Sequence, residues 1–246
     1  GHLQSIKKSL CEPLSVAAAN WAATGWVVAQ NIKNAVVVDV GSTSTSIIPI
    51  LNGKVAASGK TDLDKLINGE LVYTGSLRTN VATIVQSIPL RGAVAGVSSE
   101  LFAQSGDVHL ILGNITEEQY TSETADGRGK TPAEASARLA RVICGDIEML
   151  SQKEIADMAK FVYEKQIEQI AKGLEKVYAR VKSLVSQNVA VVVTGLGRDF
   201  LAGKAAQQVE ADSIVDLETI LQSDAVIATP AFGVALMVAK AVNGDA

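Results

Sequence analysis

The stretch Ala35–Ile50, AVVVDVGSTSTSIIPI, constrains the fold more than any other, because two apolar runs flank one short polar turn. The valines before the turn are β-branched and predict a strand that is buried on both faces. Asp39 interrupts this run, and a carboxylate at a buried strand end is costly unless it meets a cation, a hydroxyl donor or a metal ion. Gly41 then permits a turn that most residues cannot make. The stretch therefore predicts a strand that ends on a carboxylate with a bound partner.

The turn after Gly41 is rich in hydroxyls and backbone N–H groups, which suit an anion such as phosphate. These groups belong to Ser42, Thr43, Ser44 and Thr45. Ile47–Leu51 predicts a second strand, Asn52-Gly53 is a strong hairpin signal, and Lys54–Ser58 predicts a third strand. A phosphate-binding hairpin and a serine-rich hairpin loop without a ligand explain this pattern equally well.

Length and composition favour an α/β protein whose core is built from small aliphatic residues, since 48% of the 246 residues are hydrophobic and only 4% are aromatic. We predict a single α/β lobe over residues 1–246. It comprises a leading helical segment (residues 1–34), a core (residues 35–246), an inserted loop (residues 114–130) and a long helix (residues 151–187). Glu154 completes a capping box at the start of that helix.

Charge and cysteine usage limit the partners and the compartment. The net charge is −4 and no basic cluster occurs, which argues against nucleic-acid binding. Cys11 and Cys144 are far apart and lack zinc-ligand spacing, which favours a reduced cytoplasm. Leu14–Ile32 is too polar for a membrane span, and we expect no signal peptide. We expect a cytoplasmic protein that acts on small molecules. The sequence leaves open whether it forms a homo-oligomer.

Two polar residues in the first third of the chain are candidates for binding. Asn20, in a predicted helix, could contact a ligand, although a helical asparagine more often satisfies nearby backbone. Arg78 ends the polar stretch Thr61–Asn80, and its guanidinium can bind phosphate through two hydrogen bonds. The alternative for Arg78 is an ion pair with Asp62, Asp64 or Glu70.

The middle of the chain offers two carboxylates and one arginine. Ser98-Ser99-Glu100 predicts the start of a helix through Leu112, where Glu100 is a helix-dipole partner or a functional carboxylate. The long polar loop Thr116–Lys130 ends with a turn that presents Asp126 and Arg128 together. We expect these last two residues and Glu100 to line the same cleft as Asp39.

Histidine usage argues against one enzyme class. His2 lies near the terminus, and His109 has apolar neighbours and is predicted at the edge of the core. A Ser-His-Asp hydrolase is therefore poorly supported.

A second glycine-rich segment follows a later strand. Val189–Val193 predicts a buried strand that leads into Thr194, Gly195, Leu196 and Gly197, and a helix is predicted from Arg198. A strand, a Gly-x-Gly turn and a helix form a phosphate cradle in many folds. The third glycine of a dinucleotide fingerprint is absent, so this signal is weak alone.

Several segments together resemble a known family. They are PLSVAAANW (Pro13–Trp21), DVGSTSTSIIPI (Asp39–Ile50), ELVYTGSLRT (Glu70–Thr79), ELFAQSGDVHLILG (Glu100–Gly113), TADGRGKT (Thr124–Thr131) and TGLG (Thr194–Gly197). The chain resembles the hydantoinase and oxoprolinase branch of the acetate and sugar kinase, heat-shock ATPase and actin superfamily. More narrowly, it resembles archaeal proteins of the tetrahydromethanopterin-linked one-carbon pathway. The resemblance implies a ribonuclease H-like α/β fold.

The resemblance implies a transferase of methanofuran biosynthesis, in which the phenol oxygen of γ-glutamyltyramine displaces diphosphate from an aminomethyl-furan-methyl diphosphate. Such a reaction needs diphosphate-binding groups, a magnesium ion (Mg²⁺) and a base for the phenol proton. The expected catalytic residues are Asp39, Glu100 and Asp126, with Asp39 also binding the metal ion and Asn20 binding substrate. The expected phosphate ligands are Gly41, Ser42, Thr43, Ser44, Arg78, Arg128, Thr194, Gly195 and Gly197.

The sequence departs from the family pattern in two ways. Such proteins begin with an earlier lobe that carries its own Asp-x-Gly-Gly hairpin, and we expect this first lobe to be missing or incomplete here. The family hairpin also usually ends with an aspartate where this sequence has Ser46. The loss of that carboxylate weakens a two-carboxylate magnesium site.

Two other function classes stay open. One is an ATP-dependent kinase or hydantoinase-like enzyme, in which Thr194–Gly197 lies on the adenosine side. The other is a non-catalytic actin-like module.

Overall fold

The computed structural model describes residues 3–243. Its strands are β1 (Ala35–Val40), β2 (Thr45–Leu51), β3 (Lys54–Val55), β4 (Leu71–Val72), β5 (Ser87–Leu90), β6 (Ala93–Gly96), β7 (Ala190–Thr194) and β8 (Ser213–Asp216). Its α-helices are α1 (Ile6–Cys11), α2 (Asn20–Asn31), α3 (Asp62–Asn68), α4 (Val81–Ile84), α5 (Ser105–Ile111), α6 (Pro132–Arg141), α7 (Gln152–Leu184), α8 (Gly203–Gln208), α9 (Leu217–Leu221) and α10 (Thr229–Val242).

The residues group into two compact units, whereas the sequence suggested one lobe. The first unit contains residues up to Gly41, Thr45–Val72 and the chain from Ile170 onward. The second unit contains Ser42–Ser44 and Tyr73–Gln169. The turn after β1 therefore belongs to a different unit from the strands on either side of it.

The first unit is built on a mixed sheet with strand order β3-β2-β1-β7-β8, and β4 pairs with β2 beyond this path. β1 is antiparallel to β2 and parallel to β7, which is parallel to β8. Every residue of β1 is buried, as its run of β-branched side chains predicts. The predicted hairpin at Asn52-Gly53 is confirmed, because both residues have positive φ, at 52° and 71°.

The core of this unit lies where α2 packs against the sheet. Buried aliphatic side chains from α2, β1, β2 and β7 form one cluster there. Gly25 of α2 permits this contact, since a Cβ there would lie 2.8 Å from Val55 Cγ2 and 2.9 Å from Ile48 Cγ2. The spacing of α2 from β2 is therefore set by a residue without a side chain.

The second unit contains the hairpin β5–β6, the helices α4, α5 and α6, and the first half of α7. Its apolar core combines residues from each of these helices with the buried Ile88 of β5. The turn of the hairpin lies at Arg91-Gly92, where φ is 51° and 75°. Pro89 lies in β5 opposite Val94.

The helix predicted from Ser98 through Leu112 starts later than expected. α5 begins at Ser105, because Gln104 caps it and the Asp107 side chain accepts a hydrogen bond from the Gln104 amide. Glu100 therefore precedes the helix and is exposed, so the helix-dipole role predicted for it is wrong.

The other long segments follow the predictions closely. α7 runs over Gln152–Leu184, and Glu154 completes the predicted capping box with Ser151. Residues 114–130 form turns and bends, as expected for the inserted loop. The leading segment contains α1, a short 3-10 helix at Pro13–Ser15 and α2.

Within residues 3–243, one segment is long and apolar enough to cross a membrane, judged by length and composition alone. This is Asp224–Val242, with mean hydropathy 1.9 and 22% of its most apolar window buried. Part of it, α10, packs against α2 in the first unit. One such segment is weak evidence for insertion, so the absence of a membrane partner stays a prediction.

Candidate functional site

Asp39 lies at the end of β1, opposite Ser46 of β2 and Thr194 of β7. It is 7% exposed, and its Oδ2 accepts a hydrogen bond of 2.9 Å from Thr24 Oγ1 of α2. Burial raises the pKa of Asp39 from 3.8 to about 6, and the Thr24 hydroxyl counteracts part of this rise. The carboxylate can therefore exchange a proton close to neutral pH.

The backbone of Gly195 packs directly against the same carboxylate. Its φ is +86°, and a Cβ there would lie 2.5 Å from Val40 O and 2.7 Å from Asp39 Oδ1. The Gly197 amide donates to Val40 O at 3.0 Å. Both glycines therefore contact the backbone at the end of β1.

The predicted phosphate cradle at Thr194–Gly197 has internal partners. The Gly195 amide donates to Val226 O at 3.0 Å, and Thr194 Oγ1 lies 2.6 Å from Thr229 Oγ1. A π-helix, Arg198–Ala202, precedes α8, where the sequence predicted a single helix. Because these groups already have partners, phosphate binding by this segment stays a prediction.

The turn Ser42–Ser44 is held by the loop that contains Arg78. Ser42 O accepts hydrogen bonds from the amides of Leu77 and Arg78, both at 2.9 Å. A Cβ at Gly75 would lie 2.6 Å from the backbone of Thr43, so only glycine allows this close approach. The structure therefore brings together the turn and Arg78, two parts of the predicted phosphate site.

The alternative role of Arg78 is not supported. Asp62 pairs with Lys65, Asp64 caps α3 through Thr61, and Glu70 pairs with Arg180. The guanidinium of Arg78 is exposed and has no ion-pair partner among the described residues of its own unit. It is available for an anionic ligand.

Asp126 is bound by two arginines that the sequence analysis did not single out. Arg138 Nη1 lies 3.1 Å from Asp126 Oδ1, and Arg141 Nη1 lies 2.9 Å from Oδ2. Burial acts to raise the pKa of Asp126, but hydrogen bonds from Arg141, the Arg128 amide and Arg138 outweigh it, so the pKa is lowered. These bonds stabilise the charged form, which makes Asp126 a weak base.

The other predicted residues are accessible. Asn20 is the first residue of α2 and is exposed. The side chain of Arg128 is 68% exposed, and its Nε lies 4.0 Å from Asp126 Oδ2. Glu100, Asp126 and Arg128 belong to the second unit and Asp39 to the first. The proposal that they share one cleft with Asp39 stays a prediction.

Metal binding would rest on few protein ligands. Within residues 3–243, no group of three or more His, Cys, Asp or Glu side chains could hold a metal ion. Asp39 is a single buried carboxylate with a neighbouring hydroxyl, and this suits a magnesium ion that takes its remaining ligands from water and substrate phosphates.

The sequence model of the hydantoinase/oxoprolinase family matches residues 1–241. The chain belongs to this family. Two curated relatives are named (4-{4-[2-(γ-L-glutamylamino)ethyl]phenoxymethyl}furan-2-yl)methanamine synthase. The one from Methanocaldococcus jannaschii is 40% identical over 231 residues, which cover 94% of this chain and 67% of that protein. The one from Methanococcus vannielii is 36% identical over 221 residues, which cover 88% of this chain and 96% of that protein.

Among solved structures, the nucleotide-free form of acetone carboxylase, which carries out ATP-dependent acetone carboxylation, has a similar fold. The TM-score is 0.52 with 16% sequence identity, and the match covers 87% of this chain. The chain spans 31% of the acetone carboxylase chain. This likeness indicates a shared mixed α/β fold.

The sequence patterns did not indicate two buried residues that contact predicted parts of the site in this hydantoinase/oxoprolinase family member. Thr24 is the partner of Asp39, and Gln166 contacts the loop behind the turn Ser42–Ser44. Gln166 stands four residues after Val162 and four before Ile170, both buried on the apolar face of α7. A polar residue within an apolar stripe is the signal that could have identified it.

Proposed function

We propose that this protein is a transferase of methanofuran biosynthesis. The phenol oxygen of γ-glutamyltyramine attacks the methylene carbon of an aminomethyl-furan-methyl diphosphate. A C–O ether bond forms, the C–O bond to diphosphate breaks, and the phenol proton passes to a base. One observation carries this proposal. The chain is 36–40% identical to the two curated relatives named as the methanamine synthase, and the match covers 96% of one of them.

The fold that we propose is the ribonuclease H-like fold of the acetate and sugar kinase, heat-shock ATPase and actin superfamily. The strand order β3-β2-β1-β7-β8 supports it. In this sheet β1, β7 and β8 are parallel to one another, and β2 is antiparallel to β1. The likeness to acetone carboxylase supports it as well. The first hairpin of such a sheet is the phosphate-binding element in the proposed reaction.

Asp39 is the principal catalytic carboxylate in this proposal. A phenol has a pKa of about 10, so an ordinary carboxylate is a poor base for it. Without a metal ion, burial raises the pKa of Asp39 to about 6, which narrows this gap. With Mg²⁺ on Asp39 that pKa would fall again, so departure of diphosphate supplies most of the drive. Glu100 and Asp126 stay proposed as further acid or base groups, and the two arginines on Asp126 make it the weaker candidate.

In this proposal, the turn after β1 and two arginines bind the diphosphate. The groups are Gly41, Ser42, Thr43, Ser44, Arg78 and Arg128, with Thr194, Gly195 and Gly197 as further candidates. Ser42 and Thr43 are half-buried and lie beside the Arg78 amide, which suits a site for a multiply charged anion. Asn20 is the proposed substrate contact on α2.

Magnesium is the proposed cofactor, with Asp39 as its protein ligand. Bound Mg²⁺ neutralises the negative charge that develops on the leaving diphosphate. We also propose small-molecule substrates and a cytoplasmic setting, without nucleic acid or membrane partners.

A second candidate is an ATP-dependent kinase or hydantoinase-like enzyme, and the family match over residues 1–241 favours it. In that case the fold binds ATP, and the acceptor is a different small molecule. A non-catalytic actin-like module is the third candidate.

The deciding experiment is an assay with both proposed substrates and Mg²⁺. Mass spectrometry follows the aryl ether, and a coupled assay follows the released diphosphate. We expect both products in equal amounts from wild type. Thermal shifts with pyrophosphate and with ATP, each with Mg²⁺, separate the candidates. No ether together with an ATP-dependent shift would favour the kinase, and no shift with either ligand would favour the non-catalytic module.

A further inference from the structure

The loop Thr74–Thr79 is fixed by buried hydrogen bonds at Gly75. The Gly75 amide donates to Thr79 Oγ1 at 2.9 Å. The Gly75 carbonyl accepts from Gln166 Nε2 and from Ser105 Oγ, both at 2.8 Å. Gln166 and Ser105 are fully buried. Both backbone groups of Gly75 therefore have defined partners.

This fixed loop forms the backing of the turn Ser42–Ser44. A Cβ on Gly75 would lie 2.6 Å from Thr43 N and 2.7 Å from Ser42 C, so the two backbones are in direct contact. The amides of Leu77 and Arg78 add two hydrogen bonds to Ser42 O. The position of the turn thus depends on the position of the loop.

The orientation of the Gln166 side chain is set by a series of hydrogen bonds with fixed donors and acceptors. Its amide nitrogen donates to Thr74 Oγ1 at 2.9 Å and to Gly75 O, so its Oε1 must accept from His109 Nε2 at 3.0 Å. His109 Nδ1 then accepts from Asn114 Nδ2 at 3.2 Å. Burial lowers the pKa of His109 to about 3, so this neutral ring keeps the same donor order at physiological pH.

Ser76 is the exception in this well-bonded loop. Its side chain is fully buried, and Ser76 Oγ has no hydrogen-bond partner among the residues that the structure describes. Ser76 lies between Gly75 and Leu77, the residues whose backbones contact the turn. Buried hydroxyls almost always have a partner, so this one points to a ligand. Arg78, two residues later, is exposed, so the loop reaches the surface of the unit close to Ser76.

We propose that the loop Thr74–Thr79 is the second wall of the phosphate site. Ser76 Oγ donates a hydrogen bond to a diphosphate oxygen, and Gln166 is a positioning residue that holds the loop against Ser42–Ser44. The inference rests on the proposed function, which supplies the diphosphate. It gives a role in the site to Gln166, which lies outside every segment that carries the resemblance, and to Ser76, which lies within one of them but had no role assigned.

The first test replaces Ser76 with Ala and uses pyrophosphate with Mg²⁺ as the probe. A hydroxyl without a protein partner stabilises nothing in the free protein, so the melting temperature should be unchanged or higher. The Kd for pyrophosphate and the KM for the diphosphate substrate should rise about ten- to a hundredfold, as for the loss of one hydrogen bond to a charged group. The value of kcat should change less than KM.

The second test compares Gln166→Met with Gln169→Met. Gln169 lies on the same helix and donates to the Ile84 carbonyl at 3.3 Å, so it offers the same chemistry without contacting the loop. Both substitutions should lower the melting temperature. Gln166→Met should also raise the Kd for pyrophosphate, whereas Gln169→Met should leave it at the wild-type value.

The outcomes separate this inference from the proposed function. Wild-type pyrophosphate affinity in Ser76→Ala, equal effects of the two glutamine substitutions on affinity, or no pyrophosphate binding by wild type would each overturn the inference. Ether formation by wild type in those cases would leave the proposed function intact. Pyrophosphate binding that depends on Ser76, without ether formation, would support the inference and overturn the proposed function.

Discussion

Asp39 in the first unit and Asp107 in the second are both buried aspartates, but their surroundings differ. Asp39 accepts a hydrogen bond from one side chain, that of Thr24. Asp107 accepts from Arg138 Nε at 2.9 Å, from the Gln104 amide at 2.9 Å and from the Tyr120 hydroxyl at 3.2 Å. Burial raises the pKa of each, and at Asp107 the guanidinium and the other donors act against that rise.

The difference separates a carboxylate suited to chemistry from one that maintains the fold. The Asp107 oxygens are occupied by donors from three other residues, and a buried ion pair of this kind is strongly coupled to folding. Asp39 retains capacity to bind a proton, a metal ion or a ligand, because a carboxylate can accept several hydrogen bonds. Both carboxylates are buried, so it is the smaller number of partners that makes Asp39 the better candidate for a functional role.

The largest expected effect is on turnover in Asp39→Asn. The substitution removes the charge and keeps the shape, so ether formation should fall about 10²- to 10⁴-fold, the range typical of acid–base residues. Steady-state assays with both substrates measure this fall, and circular dichroism checks that the fold is retained. Asp107→Asn is no matched control for activity, because it disturbs the fold. Wild-type turnover in Asp39→Asn would show that Asp39 has no catalytic role, and its contrast with Asp107 would then have no functional meaning.

The next effect concerns stability in Arg138→Met. Arg138 is fully buried, and its loss leaves Asp107 charged without its main partner. We expect a loss of about 3–5 kcal/mol in the free energy of unfolding, measured by urea denaturation. The partly exposed Arg141 is the control, and Arg141→Met should cost about 1 kcal/mol or less. A second substitution, Asp107→Leu, should recover part of the loss, and a failure to do so would contradict the ion-pair explanation.

A smaller effect should appear in the pH dependence of stability. Because the pKa of Asp39 is about 6 in the folded protein and about 3.8 when exposed, the folded state binds this proton more tightly. Its contribution to stability is therefore highest below about pH 4 and declines as the pH rises through 6. Asp39→Asn lacks this decline. Its stability relative to wild type should rise by on the order of 1–3 kcal/mol between pH 4 and 7.

Urea denaturation at several pH values measures both proteins. Parallel stability curves for wild type and Asp39→Asn would mean that Asp39 titrates normally in the folded state.

The smallest effect is expected for Thr24→Val. Valine keeps the shape of threonine but removes the hydrogen bond to Asp39, which should cost about 1 kcal/mol of stability. The pKa of Asp39 should rise further, so the acidic limb of the turnover profile should move to higher pH by up to about one unit. Thr24→Ser keeps the hydroxyl and should leave the limb in place. An unchanged limb in Thr24→Val would show that Thr24 does not tune the carboxylate.

Local sequence patterns predicted much of the fold. The β-branched run before Asp39, the Asn52-Gly53 turn and the capping box of α7 each act within a few residues, and each is found where predicted. α5 starts at Ser105 and not at Ser98-Ser99-Glu100, because its cap is at Gln104, whose backbone N–H donates to the Asp107 side chain. The sequence offers two candidate starts close together, and the local pattern alone does not rank them.

The amino-acid sequence alone indicates the polar turn, the carboxylate before it and membership of the hydantoinase/oxoprolinase family, because these depend on residue type and local order. Which polar groups have partners is set by the folded chain. Thr24 meets Asp39 across 15 positions, and Gln166 meets Gly75 across 91. Asp126 forms ion pairs with two arginines of α6. The pKa and availability of a side chain depend on burial and on distant donors, and both exist only once the chain has folded.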